Sequence, residues 1–226
     1  MWVVKLGGSL LADAVLGDWL QVLERHGGGR VVVVPGGGPF ADSVRHLQSV
    51  HGLSDETVHF LAIDAMEQTA RVCRALAPAM QAAGTVEGIL SALAAGEVPI
   101  WMPGHLLRSE PELPRTWAVT SDSLALWLAI ELGAEALFLV KRARLPGQGT
   151  DPARLSGLGM LDGCFPRLFP RYRGSVRWLC AGEASVMGDS LRRGSPVGVP
   201  LTGIPSGAAK RRVQDVAPTL PGSAPE

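Results

Sequence analysis

The chain has 226 residues, zero formal net charge at pH 7 and 46% apolar residues. Balanced charge argues against a general affinity for nucleic acid or an acidic membrane surface. No apolar run reaches the roughly 18 residues that span a bilayer, so no membrane partner is expected. The start of the chain lacks a basic stretch followed by an apolar one, so no secretory leader is expected. Cys73, Cys164 and Cys180 are odd in number and widely spaced. They fit buried residues of a reducing compartment and not a disulfide frame or a metal site, so a cytoplasmic protein is expected.

In chain order, Trp2 to Leu6 predicts a short buried strand that runs into Gly7-Gly8-Ser9. Asp18 to His26 predicts a helix stopped by Gly27-Gly28-Gly29. Arg30 to Val34 is continuously apolar after its first residue, as in a strand covered on both faces of a parallel sheet. A second glycine turn, Gly36-Gly37-Gly38, follows it and opens a helix with Pro39 in the first turn. The long segment from Gly52 to Gln81 predicts a helix with Ser54 and Thr57 as candidate caps. Val98 to Met102 is a third strand. Thr120 caps "SDSLALWLAIEL", and "ALFLVK" is a fourth strand. "VRWLCAG", a helix from Glu183 to Arg193 and "PVGVPLTGI" complete the alternation. Leu107 to Trp117 and Arg142 to Gly159 predict loops.

Alternating strands and helices imply βαβ crossovers, hence an α/β fold with a mostly parallel central sheet between helical layers. The chain reads as one domain over 1–205 and a loosely ordered tail over 206–226.

Of 21 basic residues only Lys5, Lys141 and Lys210 are lysine. Two of these three close predicted strands, on the sheet rim where ligands of open α/β folds bind. An ammonium there suits phosphate oxygens, although a single lysine also fits a snorkelling edge residue. The two glycine turns share that rim. Glycines admit an anion to backbone N–H groups, and a following helix N-terminus favours it. Each turn alone also fits a tight connection without a ligand. Neither is a Walker loop or a dinucleotide fingerprint. Asp122, in the first turn of its helix, fits dipole compensation or an acid that orients the two lysines or a phosphate-bound metal. Arg45, on the helix after Gly38, suits an anionic acceptor. Asp64 and Glu67 share a face of the long helix, which points to a partner for an ammonium group. The five histidines show no metal-ligand spacing and read as surface or core residues.

"VVKLGGSLL", "VVVVPGGGPFADSVR", "VTSDSLALWLAIELGA" and "ALFLVK" stand in an order that resembles the amino acid kinase family. "FADSVRHLQSVHGLSDETVHFLAIDAMEQ" and "WAVTSDSLALWLA" resemble the subgroup that phosphorylates aminomethylfuranylmethyl phosphate in methanofuran biosynthesis. The resemblance implies a three-layer αβα sandwich, ATP with Mg2+, a small phosphorylated acceptor, a cytoplasmic location and a homodimer or larger oligomer. It assigns Lys5 and Lys141 to charge neutralisation on the transferred group and Asp122 to organising them. Gly7, Gly8, Ser9, Lys141 and Gly147 go to the nucleotide side, and Gly37, Gly38, Arg45 and Asp64 to the acceptor. No protein metal ligand is assigned. The family's Val-Asp-Gly turn is replaced after Lys141 by "KRARLPGQGTDP". Alternatives are a kinase for isopentenyl phosphate, uridylate or an acylated amino acid, or a nucleotide-binding subunit without turnover.

Overall fold

The computed structural model describes residues 1–108, 110, 112–146 and 151–203. Gly147 and the segment 206–226 lie outside the described residues. Strands β1 (Trp2–Leu6), β2 (Val31–Pro35), β3 (Gln81–Ala83), β4 (Pro99–Trp101), β5 (Ala136–Lys141), β6 (Ser175–Cys180) and β7 (Val199–Pro200) form one sheet. Its order is β3-β4-β2-β1-β5-β6-β7. Every neighbouring pair is parallel except β6 with β7. This is the expected α/β architecture, with an antiparallel edge strand added.

The sheet is covered on both faces, which is why its central strands are continuously apolar. Strand parity sorts their side chains between two cores. Val3, Val32, Val34, Leu137 and Leu139 share one core with α6 (Ser121–Glu131). Trp2, Val4, Leu6, Val31, Val33, Phe138 and Val140 share the other with α1 (Val15–His26) and α9 (Ala184–Arg193). Helix α6 is buried from Asp122 to Ala129, so it carries apolar residues all round, without a solvated stripe.

Helix α2 (Gly38–His51) starts at the second glycine turn, with Pro39 in its first turn. Helix α3 (Asp55–Leu76) is capped by Ser54, whose hydroxyl accepts from the Thr57 N–H at 3.2 Å. It ends five residues before the expected Gln81. Ala77 precedes Pro78, and a residue before proline is driven out of the helical region. Gln81 belongs instead to the edge strand β3, too short for its sequence to show alternation. Helix α1 begins three residues earlier than Asp18, because the Asp13 carboxylate accepts from the Val15 N–H. The expected loops are also interrupted. Helix α5 (Gly104–Arg108) enters the first, and α7 (Pro152–Gly157), capped by Asp151, enters the second. Helix α4 (Val86–Ala94) connects β3 to β4, and α8 (Phe165–Leu168) packs under α6. No helix among the described residues is long and apolar enough to cross a membrane.

Candidate active site

Register brings the two lysines together. Lys5 pairs with Leu139 across β1 and β5, and Lys141 lies two residues beyond Leu139. Both therefore point to the face that α6 covers, at the carboxyl end of the sheet. Asp122 meets them from the first turn of α6. Lys5 Nζ stands 2.8 Å from Asp122 Oδ1, and Lys141 Nζ stands 2.5 Å from Oδ2. Lys141 Nζ also donates to the Met160 carbonyl at 2.9 Å. Lys5 and Asp122 are buried, at 3% and 4% exposure, in surroundings where unpaired charge is costly.

Burial alone would raise the Asp122 pKa; Lys5 and Lys141 more than offset it and hold the carboxyl at about 2. Burial lowers the Lys5 pKa, opposed by the charge of Asp122. With its native pKa below the ordinary 3.8, Asp122 adds stability above that pH and loses it as pH falls through about 2. Acid unfolding of the wild type, followed by circular dichroism, is expected to steepen between about pH 4 and 2. Asp122→Asn is expected to lack that component.

The glycine turns are shaped by each other. A Cβ on Gly8 would lie 2.4 Å from the Gly38 nitrogen, and one on Gly36 would lie 2.4 Å from the Gly8 nitrogen. Gly38 has φ of +54°, in the left-handed region that glycine tolerates. Two N–H groups are already used: Gly7 donates to Val140 O and Gly36 to Leu6 O, each at 2.9 Å. Gly8 and Ser9 open a short 3-10 turn, whose first N–H groups have no acceptor within the turn. Gly8→Ala must push the two turns apart, because the obstacle is backbone. It is expected to lower both the melting temperature and the catalytic rate, read by calorimetry and turnover on one preparation.

These turns and the start of α6 border a cleft of about 240 Å³. Gly8, Ser9, Gly37, Gly38, Thr120 and Ser121 form its polar end. Ile63, Met66, Val119 and Leu124 supply apolar wall, and Asp42, Arg45, His59 and Trp117 also face it. The Arg45 guanidinium lies 3.8 Å from the Trp117 ring centroid, a cation–π contact. Trp117 Nε1 donates to Gln48 Oε1 at 2.6 Å, which fixes the ring. His59 is buried, and burial together with the charge of Arg115 lowers its pKa, so its ring is neutral at pH 7.

The amino acid kinase family model matches residues 1–143, which contain β1, both glycine turns, α6 and the end of β5. The chain belongs to the amino acid kinase family. A relative from Methanocaldococcus jannaschii, named (5-(aminomethyl)furan-3-yl)methyl phosphate kinase, is 27% identical over 183 residues, covering 76% of this chain and 84% of its own. The fold is shared with uridylate kinase from Archaeoglobus fulgidus, at a TM-score of 0.64 and 18% identity, covering 89% of this chain and 99% of that one. UMP kinase from Bacillus anthracis gives 0.63 at 16% identity, covering 88% and 94%. The protein is thus a phosphotransferase of this kinase family.

In this family member, Lys5, Lys141 and Asp122 form one array, and Gly8, Ser9, Gly37, Gly38 and Arg45 line the adjoining cleft. Gly7 is held by the sheet. Asp64 stands apart. It is not among the cleft residues, its side chain is 45% exposed, and it accepts from Arg108 Nη2 at 2.7 Å. Glu67 accepts from the Gly104 N–H at 2.9 Å, a structural bond. Asp42 is the carboxylate that lines the cleft. The sequence reading also did not single out His59 and Trp117, which line the cleft. The hydrophobic flanks of His59 hid its cleft-facing ring, whereas Asp42 shares a helix face with Arg45, three residues on, a spacing that was readable.

Among the described residues no group of three or more His, Cys, Asp or Glu is placed to hold a metal ion. Both Asp122 oxygens are engaged by lysine. The described residues therefore supply no dedicated Mg2+ cage.

Proposed function

We propose that this kinase transfers the γ-phosphoryl group of ATP to (5-(aminomethyl)furan-3-yl)methyl phosphate, giving the diphosphate. The reading rests on the buried Lys5–Asp122–Lys141 array and on a cleft, lined by the glycine turns and the residues just before Asp122, that carries Arg45 and the α2 N-terminus. The Methanocaldococcus relative supplies the acceptor. An oxygen of the acceptor phosphate attacks the γ-phosphorus, the bond to the β,γ-bridging oxygen breaks, and ADP leaves. That acceptor oxygen is already anionic, so no strong general base is needed. Lys5 and Lys141 offset charge on the moving group, and Gly8 and Ser9 N–H groups meet ATP phosphate oxygens. Arg45 and the start of α2 take the acceptor phosphate. Mg2+ would be held by phosphate and water oxygens and not by a protein cage, and would offset phosphate charge during transfer.

ADP release over aminomethylfuranylmethyl phosphate, isopentenyl phosphate, uridylate and an acylated amino acid tests the acceptor. The furan is expected to give the highest kcat/KM. Better turnover of uridylate or isopentenyl phosphate overturns that assignment, and ATP binding without ADP release on any acceptor marks a non-catalytic subunit.

An ammonium group on that acceptor suits a carboxylate; Asp42 lines the cleft and Asp64 does not, which supports giving Asp42 the role that the sequence assigned to Asp64. Asp42→Asn is expected to raise KM for the aminomethyl acceptor roughly tenfold, with a small effect on an analogue lacking the amine. Ten-fold corresponds to about 1.4 kcal/mol, within the range of one charge-assisted hydrogen bond. Asp64→Asn is expected to affect both compounds little and equally.

A further inference from the structure

The start of α6 is not capped from within. Thr120 occupies the cap position, yet its hydroxyl makes no bond to the helix. A carboxylate 42 residues downstream does that work. Asp162 Oδ2 accepts from the Thr120 N–H at 2.9 Å, the Thr120 hydroxyl at 2.8 Å and the Ser123 N–H at 2.9 Å. Its Oδ1 accepts from the Ser123 hydroxyl and, at 3.1 Å, from the Phe165 N–H. Five donors converge on one partly buried carboxylate, and four of them belong to the two residues, Thr120 and Ser123, that bracket Asp122 in the chain.

The same short segment holds the other side of the array. Met160, two residues before Asp162, accepts from Lys141 Nζ. Residues 160–162 therefore touch β5 through Lys141 and α6 through Thr120 and Ser123. They span the gap across which Asp122 and Lys141 must meet. Asp162 lies beyond the residues that the family model matches. A simple cap needs one or two bonds to the first N–H groups; this carboxylate also takes both flanking hydroxyls and ties the helix start to a third element.

We propose that Asp162 is a positioning residue for phosphoryl transfer, which with the Met160 carbonyl clamps α6 against β5 and so holds Asp122 between Lys5 and Lys141. The proposal rests on the phosphotransfer reading given above. It also has an electrostatic consequence. Lys5 faces Asp122 from α6, Lys141 from β5 and Asp162 from the segment after α7. Asp122 and Asp162 favour its protonated form, and Lys141 opposes it. Removing the Asp162 charge makes Lys5 easier to deprotonate. Asp162 itself is raised by burial and by Asp122, and the Ser123 and Thr120 hydrogen bonds hold it down.

Two variants and two readouts test this. The chain has only three lysines, so its side-chain signals can be followed by nuclear magnetic resonance without substrate. In Asp162→Asn, the Lys5 signal is expected to titrate at lower pH than in the wild type. Its kcat is expected to fall at least tenfold with KM for ATP nearly unchanged, and the alkaline limb of the kcat–pH profile to move down. Ser123→Ala keeps the charge and removes one donor. It is expected to fold, and the acid limb of kcat to move up as Asp162 protonates more readily. A cap without a catalytic role predicts a lower melting temperature with the plateau kcat unchanged, and that result overturns the proposal; a shifted Lys5 titration alone reports only the lost charge of Asp162. If Asp162→Asn does not fold, an unmoved acid limb in Ser123→Ala overturns it. A wild type without turnover defeats the phosphotransfer reading instead; a crystal structure of Asp162→Asn then decides on the clamp, which is overturned if Asp122 still meets both lysines there.

Discussion

Lys5→Met is expected to lower kcat by about a hundred- to a thousand-fold while the protein still folds. A single preorganised donor to a developing charge contributes about 3–4 kcal/mol to transition-state stabilisation, which sets that range. Lys5 is 3% exposed at the end of the central strand, so no water-borne cation replaces it there. Methionine keeps an unbranched side chain, one atom shorter, and removes the charge. The fold survives because Asp122 retains Lys141 at 2.5 Å, so the carboxylate is not stranded. Some melting temperature is still lost, since half of a buried ion-pair system is gone. Rate and melting curve are measured on one sample. Near-normal turnover removes Lys5 from the chemistry.

Asp122→Asn is expected to damage rate and stability together. An acid that only compensated the helix dipole would cost about 1 kcal/mol of folding on removal and leave the kinetics alone. The structure gives the capping work to Asp162, and both Asp122 oxygens to lysine. Replacing the carboxylate leaves Lys5 and Lys141 facing each other without their shared counter-charge. Loss of a buried partner costs about 3–5 kcal/mol. The rate is expected to fall tenfold or more, and the Lys5 pKa, already lowered by burial, to fall further. The alkaline limb of kcat then moves to lower pH. A variant that melts earlier but keeps its kinetics would return Asp122 to a structural role. Urea titration alongside the pH–rate profile separates the two.

The parts of the array were legible in the sequence because each follows from local rules, and their joint role was implied by the family resemblance. Continuous apolar runs mark strands covered on both faces, and a lysine at the end of such a run is conspicuous. Strand parity then sends Lys5 and Lys141 to one face once their strands are adjacent. The glycine turns were legible as turns, and their mutual contact, Gly8 against Gly36 and Gly38, was not. The same limit applies to Asp64 and Asp42. Helical spacing groups acids on a face without saying whether that face looks into a cleft or toward Arg108.

By itself the sequence determined the alternation of strands and helices, the two glycine turns, the rim position of Lys5 and Lys141 and the place of Asp122 at a helix start. Only the tertiary structure decided that β1 lies between β2 and β5, that Trp117 fixes Arg45 at the cleft, and that Asp162 closes α6 from 42 residues away. The physical reason is range. Periodicity, capping and turn chemistry act over a few residues and leave a repeating trace in the chain. A carboxylate finds five donors where the start of α6 packs against the segment that leads into α8, and no spacing along the chain records that meeting.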